Sequence, residues 1–290
     1  MPNPIINNLS EISDRYDCFL VDLWGVIYDG YKPYPGAIDC LYALKRQGKK
    51  VAIAANWSRR SSAIAQLMAN DGIPKDSYDF MATAGEMTHI ALRDRTDEQL
   101  KKLGNRCFLL CGKGYSPDIA EGLSLDLVPT PAKADFALCI GPNDKEKDIS
   151  SWENILLDCL NANLLMLCAN PDISAKRGNI IELTTGALTT RYTELGGKVK
   201  NFGKPMPEFF HDIIKLMNDT PSRSVMIGDG MLTDIKGANA AQIDSIFITG
   251  GLSLNDLGGE WGKPPTPNTL NKFISKNNYN PTYTLPALRW

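Results

Sequence analysis

Short apolar runs alternate along the chain with segments whose apolar residues recur at helical spacing. CFLVD (18–22) and KVAIAAN (50–56) read as buried strands. Between them AIDCLYALKRQG sets Ala37, Leu41 and Leu44 on one helical face and ends at Gly48, a helix stop. The segment SSAIAQLMANDG after Asn56 reads as a second helix, with serine at its start and glycine past its end. Near the far end SVMIGD (224–229) and DSIFITG (244–250) predict two more strands around a helix over TDIKGANAAQ. This alternation at both ends predicts an α/β fold with a mostly parallel sheet covered by helices.

The middle of the chain has its own alternation. RCFLLCG (106–112), ADFALCIG (134–141) and NLLMLCAN (163–170) read as strands, with helices expected over SPDIAEGL and SSWENILLDCL. There is no repeat and no low-complexity tract. A second α/β unit inserted between the halves of the first accounts for the layout. The last thirty residues, rich in Pro and Asn, read as an irregular tail docked by Tyr283, Leu288 and Trp290.

Composition narrows the function. With 290 residues, the chain has the length of one large domain or two smaller ones. Its 31 basic and 33 acidic side chains give a net charge of −2, without the basic stripe that nucleic acid or an anionic membrane would require. Neither is expected as a partner. Seven cysteines, an odd number mostly set in apolar runs, point to reduced thiols rather than disulfides. Acidic residues interrupt the N-terminal stretch where a signal peptide would need an apolar core, and no apolar run approaches a membrane span. The expected compartment is the cytoplasm.

In open α/β sheets the ligand crevice lies beyond the carboxyl ends of the strands, so the residues ending each apolar run are the informative ones. They are Asp22, Asn56 and Asp229. An aspartate there can simply cap a helix. Glycines close to Asp22 and Asp229 would let backbone pass near their carboxylates, and Asp234 follows five residues after Asp229. Three carboxylates at one sheet edge would repel one another without a cation, and oxygen-only ligation suits Mg²⁺. Lys204, in FGKPMPEFF ahead of an amphipathic segment, is the candidate phosphate-neutralising cation. The same tripeptide, Gly262-Lys263-Pro264, recurs with no expected role. No P-loop, no nucleophile elbow and no metal-spaced histidine pair is present. CGKGYSP (111–117) has Pro117 where a dinucleotide loop needs its third glycine, and reads as a strand-to-helix turn. Asn170-Pro171-Asp172 reads first as a turn after a buried strand.

Taken in order, FLVDLWGVIYDG, AIAANWSRR, FGKPMPEFF and MIGDGMLTDIKGANAAQ resemble the four motifs of the haloacid dehalogenase superfamily. The long insertion with CANPD (168–172) and TTGALTTRYTELGG resembles the cap of its subclass IIA phosphatases. That resemblance implies a Rossmann-like parallel-sheet core formed by 1–83 and 201–290, with an inserted α/β cap of C2 type over 84–200. It implies Mg²⁺-dependent hydrolysis of a small phosphorylated metabolite through an aspartyl phosphate on Asp22, with assembly as a homodimer unsurprising by analogy.

By the same resemblance Mg²⁺ would be held by Asp22, the main-chain carbonyl of Trp24 and Asp229, supported by Asp234. Phosphate oxygens would be cradled by Lys204, by backbone N–H groups at Leu23 and Trp57, and by the Asn56 region, with Ser58 the candidate to supply the hydroxyl that Ala55 lacks. Asn170 and Asp172 are candidate cap residues near the substrate, and Arg177, Arg191 and Tyr192 are further residues that could face the crevice. The family's phosphatases usually carry an acid/base Asp two residues after the nucleophile, where this chain has Trp24, and Thr or Ser where it has Ala55. Those departures motivate a second reading, a catalytically weak relative that binds a phosphorylated ligand or partner without efficient turnover. An NAD-dependent dehydrogenase, compatible with the α/β pattern, lacks the glycine fingerprint.

Overall fold

The strand order of the larger sheet already points to a ligand-binding edge. In this computed structural model, which describes residues 4–143, 145–177 and 180–290 (side chains at 176, 177 and 180 excepted), the strands number thirteen. They are β1 (Cys18–Val21), β2 (Lys50–Ala55), β3 (Phe80–Thr83), β4 (Arg106–Cys111), β5 (Asp126–Leu127), β6 (Phe136–Gly141) and β7 (Leu165–Cys168). There follow β8 (Ser174–Arg177), β9 (Ile180–Leu183), β10 (Lys198–Asn201), β11 (Ser224–Gly228), β12 (Asp244–Ile248) and β13 (Tyr283–Leu285). The first sheet runs β13-β12-β11-β1-β2-β3. The chain moves outward on one side of β1 and returns to β11 on the other, so its winding reverses between β1 and β11. That reversal is where open α/β sheets leave a crevice.

β1 and β11 are buried along their whole length, as strands of a sheet covered on both faces must be. They pair in parallel from Cys18 opposite Ser224 to Val21 opposite Ile227. Helix α1 (Ala37–Arg46) contributes Ala37, Cys40, Leu41 and Leu44 to the core at helical spacing, and Gly48, at φ 72°, lies beyond its end.

The chain divides into two compact units: Met1–Ala55 with Ala65–Ala82 and Lys204–Trp290, and Asn56–Ile64 with Thr83–Gly203. The second unit has a parallel sheet, β10-β7-β6-β4-β5, and an antiparallel hairpin of β8 and β9. Alternate residues of β6 serve its two faces. Ala137 and Cys139 pack with Leu156, Cys159, Leu188 and Tyr192, whereas Phe136, Leu138 and Ile140 pack with Leu92 and Ile119. This division differs from the boundaries expected from sequence at 56–64, at Thr83 and at 201–203. Asn56–Ile64 belongs to the second unit because Arg59 and Arg60 pair with Asp118 and Glu86, and Gly85 N–H donates to the Trp57 carbonyl at 2.9 Å. Residues 201–203 also belong there, since β10 pairs with β7 through Asn201 and Phe202 N–H donates to the Cys168 carbonyl.

Other expectations fail locally. The last thirty residues are not irregular: Thr266 caps the helix Pro267–Asn277, and β13 extends the first sheet alongside β12. Tyr283 and Leu288 are buried, as a docked end requires, while Trp290 stays half-exposed. SPDIAEGL yields only a short 3-10 turn, Asp118–Ala120. Over TDIKGANAAQ a π-helical turn, Met231–Ile235, precedes a short α-helix, Lys236–Ala240. Among the described residues no helix is long and apolar enough to cross a membrane.

Candidate active site

Asp22 is the residue just past β1, and its N–H donates to the Ile227 carbonyl at 2.8 Å, continuing the ladder with β11. Asp229 is the residue just past β11. Parallel pairing therefore delivers both carboxylates to one sheet edge. Asp234 joins them from the π-helical turn, where its Oδ2 accepts from Gly230 N–H at 2.9 Å and from the Thr233 hydroxyl at 3.4 Å. π-helical turns recur at functional sites. One oxygen from each of Asp22, Asp229 and Asp234 lies within 4.8 Å of the others.

Lys204 completes the group. It follows Gly203, at φ 106°, and precedes a cis proline, Pro205, ahead of the amphipathic helix Pro207–Leu216. Its ammonium lies 2.7 Å from Asp22 Oδ1 and 2.7 Å from Asp234 Oδ1. The bond to Asp22 is a directed hydrogen bond; the contact with Asp234 is an ion pair that leaves Oδ1 without an aligned donor. Lys204 is 2 % exposed. A lysine so deep is tolerated only beside anions.

Three buried carboxylates face one ammonium, an excess of negative charge that the site shows in its protonation. Burial, then the charges of Asp234 and Asp229, push Asp22 well above the usual carboxylate range, with Lys204 opposing. Burial and Asp234 push Asp229 up to about 7. Burial alone would lower Lys204, but Asp22 and Asp234 outweigh it and hold the ammonium charged. Hard oxygen donors, an unneutralised charge and an Asp234 oxygen without an aligned donor all fit a divalent cation.

Glycines make room for Asp229. A Cβ at Gly25, whose φ is 76°, would lie 1.8 Å from Asp229 Oδ2, and one at Gly251 would lie 2.1 Å from it. Leu252 N–H donates to the same oxygen at 2.6 Å. Gly251 and Leu252 escape the sequence reading. Their only signal there is the Gly250-Gly251 pair directly after an apolar strand. Leu23 N–H, expected to face phosphate, donates here to Asp22 Oδ1 at 2.8 Å. Trp24 is half-buried, its indole edge-on to Tyr28 at 5.3 Å between centroids.

The remaining candidates belong to the second unit. Asn56 donates from Nδ2 to Asp172 Oδ1 at 2.8 Å. Asn170 Oδ1 accepts from Asp172 N–H at 3.0 Å, an Asx turn that makes Asn170-Pro171-Asp172 the turn its sequence suggested. The same turn also reaches Asn56. Trp57 is half-buried and Ser58 buried. Arg191 pairs with Glu153, and Tyr192 is buried with its hydroxyl on the Leu164 carbonyl, so Tyr192 is a core residue. The Arg177 side chain lies outside the described residues.

Known proteins resemble this chain in sequence and in fold. Residues 19–122 match the model of the haloacid dehalogenase-like hydrolases, and residues 201–274 match a second, HAD-hydrolase-like model. The chain is 24 % identical over 267 residues to a D-glycerol 3-phosphate phosphatase of Mycobacterium tuberculosis, covering 84 % of this chain and 66 % of that protein. It is 23 % identical over 284 residues to a 4-nitrophenylphosphatase of Schizosaccharomyces pombe, covering 92 % and 94 %. A crystal structure of a haloacid dehalogenase-like hydrolase from Brucella suis 1330 superposes with a TM-score of 0.79 at 27 % identity, covering 98 % of this chain and 100 % of that one. With matching motif segments on both sides of the insertion and a fold shared end to end, the chain belongs to the haloacid dehalogenase-like hydrolases, in their subclass IIA phosphatase-like group.

Proposed function

We propose that this protein is a Mg²⁺-dependent phosphatase of a small phosphorylated metabolite, working through a phosphorylated Asp22. The observation that carries this reading is the Lys204 ammonium at 2.7 Å from both Asp22 and Asp234, beside three carboxylates with oxygens within 4.8 Å. A structural ion pair would need one carboxylate; a phosphoryl-transfer centre needs a nucleophile, a cation site and a fixed positive charge.

In the first step a carboxylate oxygen of Asp22 attacks phosphorus as the bond to the ester oxygen breaks, and the departing oxygen takes up a proton. Water then attacks phosphorus, loses a proton, and releases Asp22 as a carboxylate with inorganic phosphate. Lys204 and the backbone N–H of Leu23 would stabilise charge on Asp22 and on the phosphoryl oxygens, and Asn56, Ser58 and the backbone N–H of Trp57 are the further phosphate-binding candidates. Asp22, the Trp24 carbonyl and Asp229, with Asp234 behind them, would hold Mg²⁺, which neutralises the repulsion between carboxylate and phosphate. Seven unpaired cysteines support a reducing compartment, and we place the enzyme in the cytoplasm.

Trp24 sets the limit of this reading. An indole exchanges no proton near neutrality, so the leaving oxygen draws its proton from solvent, and loss of a positioned acid typically costs about 10²- to 10⁴-fold in rate. With the indole packed on Tyr28, a second reading has a specific basis: a weak enzyme whose work is to bind a phosphorylated ligand. A panel of phosphorylated metabolites with Mg²⁺ separates the two. Phosphate release by the natural chain, lost in Asp22→Asn, supports the phosphatase; ligand binding without release supports the alternative.

A further inference from the structure

The loop after β2 carries Asn56, Trp57 and Ser58, and in the second unit it is fastened by residues that no motif identifies. Arg60 makes a bidentate pair with Glu86, Nε to Oε2 at 2.8 Å and Nη2 to Oε1 at 3.1 Å. The same Glu86 Oε2 accepts from Ser61 N–H at 2.9 Å. Asp118 Oδ2 accepts from Arg59 Nε at 3.2 Å and from Arg60 N–H at 3.4 Å. Gly85 N–H holds the Trp57 carbonyl at 2.9 Å, and the Thr83 hydroxyl donates to the Arg59 carbonyl while accepting from Glu86 N–H at 2.9 Å. There is no slack at the contact, because a Cβ on Gly85 would lie 2.5 Å from the Arg59 nitrogen.

We propose that Glu86 and Asp118, through Arg60 and Arg59, are positioning residues that hold the 56–58 loop in its phosphate-binding conformation. The proposal rests on the phosphatase reading for what the loop binds. Two features favour positioning over plain scaffolding. Both arginines directly follow the candidate phosphate residues, and both are gripped at side chain and backbone, which fixes the course of the main chain as well as the charge. Burial pushes the Glu86 carboxyl upward, yet the Arg60 guanidinium and the Ser61 amide outweigh it and keep Glu86 below its ordinary range. The pair is thus ionised across the neutral range. The charged quartet of Asp22, Lys204, Asp229 and Asp234 belongs to the other unit and keeps its own chemistry. A loop that binds phosphoryl oxygens equally in ground and transition states changes KM more than kcat.

The test compares the natural chain with Glu86→Ala, Glu86→Gln and Arg60→Lys, all well below their melting midpoints. The readouts are KM and kcat for a phosphate monoester and the inhibition constant of inorganic phosphate. Glu86→Ala is expected to raise KM and the phosphate inhibition constant together by about tenfold, with kcat within about twofold. Glu86→Gln, which keeps acceptors but loses the charge, should fall between. KM and phosphate inhibition unchanged within twofold in an active Glu86→Ala would overturn the proposal, even if the melting midpoint dropped. Should Glu86→Ala fail to fold, Glu86→Gln and Arg60→Lys decide by the same criterion. If the natural chain shows no turnover, calorimetric titration with inorganic phosphate separates the two ideas. Binding weakened by Glu86→Ala keeps the positioning role and sinks the phosphatase; binding unaffected by it, or absent altogether, overturns this proposal.

Discussion

The Lys204 ammonium donates a 2.7 Å hydrogen bond to Asp22 Oδ1 across 182 positions of sequence, and both groups are buried. The same ammonium lies 2.7 Å from Asp234. One cation thus restrains two carboxylates that repel each other. Replacing Lys204 by Met should lower kcat/KM for any phosphate ester by about 10²- to 10³-fold or more, the scale of losing one preorganised electrostatic partner. The melting midpoint should fall more at pH 8 than at pH 5, because stranded carboxylates can take up protons in acid. Equal losses at both pH values would show that Lys204 is not the counter-charge.

Asp229 would couple metal binding to pH. Its folded-state pKa of about 7 lies above the ordinary value near 3.8, so the folded protein binds the extra proton. That contribution is complete below the unfolded pKa and is lost as pH rises through about 7. A divalent cation held by Asp229 would replace that proton. Mg²⁺ should therefore raise the melting midpoint more at pH 8 than at pH 5, and a chelator should reverse the gain. A shift independent of pH in scanning calorimetry would contradict the carboxylate cluster as the metal site.

Gly251 tests the shape of that cluster. A Cβ there would lie 2.1 Å from Asp229 Oδ2 and 2.6 Å from Asp229 Cβ, so Gly251→Ala must displace the carboxylate. Disturbing the support of a metal ligand typically costs about 10- to 100-fold in metal affinity. Mg²⁺ activation curves should move to higher concentration by that order. An unchanged curve would mean that Asp229 is not a ligand.

Trp24→Asp would place a carboxyl two residues after Asp22, the proposed nucleophile. Acid assistance matters most when the departing oxygen is basic, so hydrolysis of an alkyl phosphate should rise more than that of an activated aryl phosphate. Mg²⁺ binding should persist, since the position would lend the metal only its main-chain carbonyl. Losing the edge-on contact with Tyr28 should cost about 0.5–1.5 kcal/mol of stability beyond the buried area. Equal gains on both substrates would remove the acid role from this position.

Sequence by itself determined the alternation of strand and helix and the carboxylates at strand ends. These are local facts: an apolar run buried on both faces has to stop at a polar residue, and in a parallel sheet that residue lies at the crevice edge. Asp22 and Asp229 were legible for that reason. Tertiary structure decided what no local pattern encodes. Two Gly-Lys-Pro tripeptides look alike in sequence, yet Lys204 is buried between Asp22 and Asp234 while Lys263 sits exposed beside Glu260. Only the fold shows which lysine meets the strand ends. Only the fold, likewise, brings Gly251 and the Leu252 amide against Asp229, and ties Asn56–Ile64 to Glu86 and Asp118. Periodicity reports which face of an element is buried; the partner on that face depends on how distant segments pack.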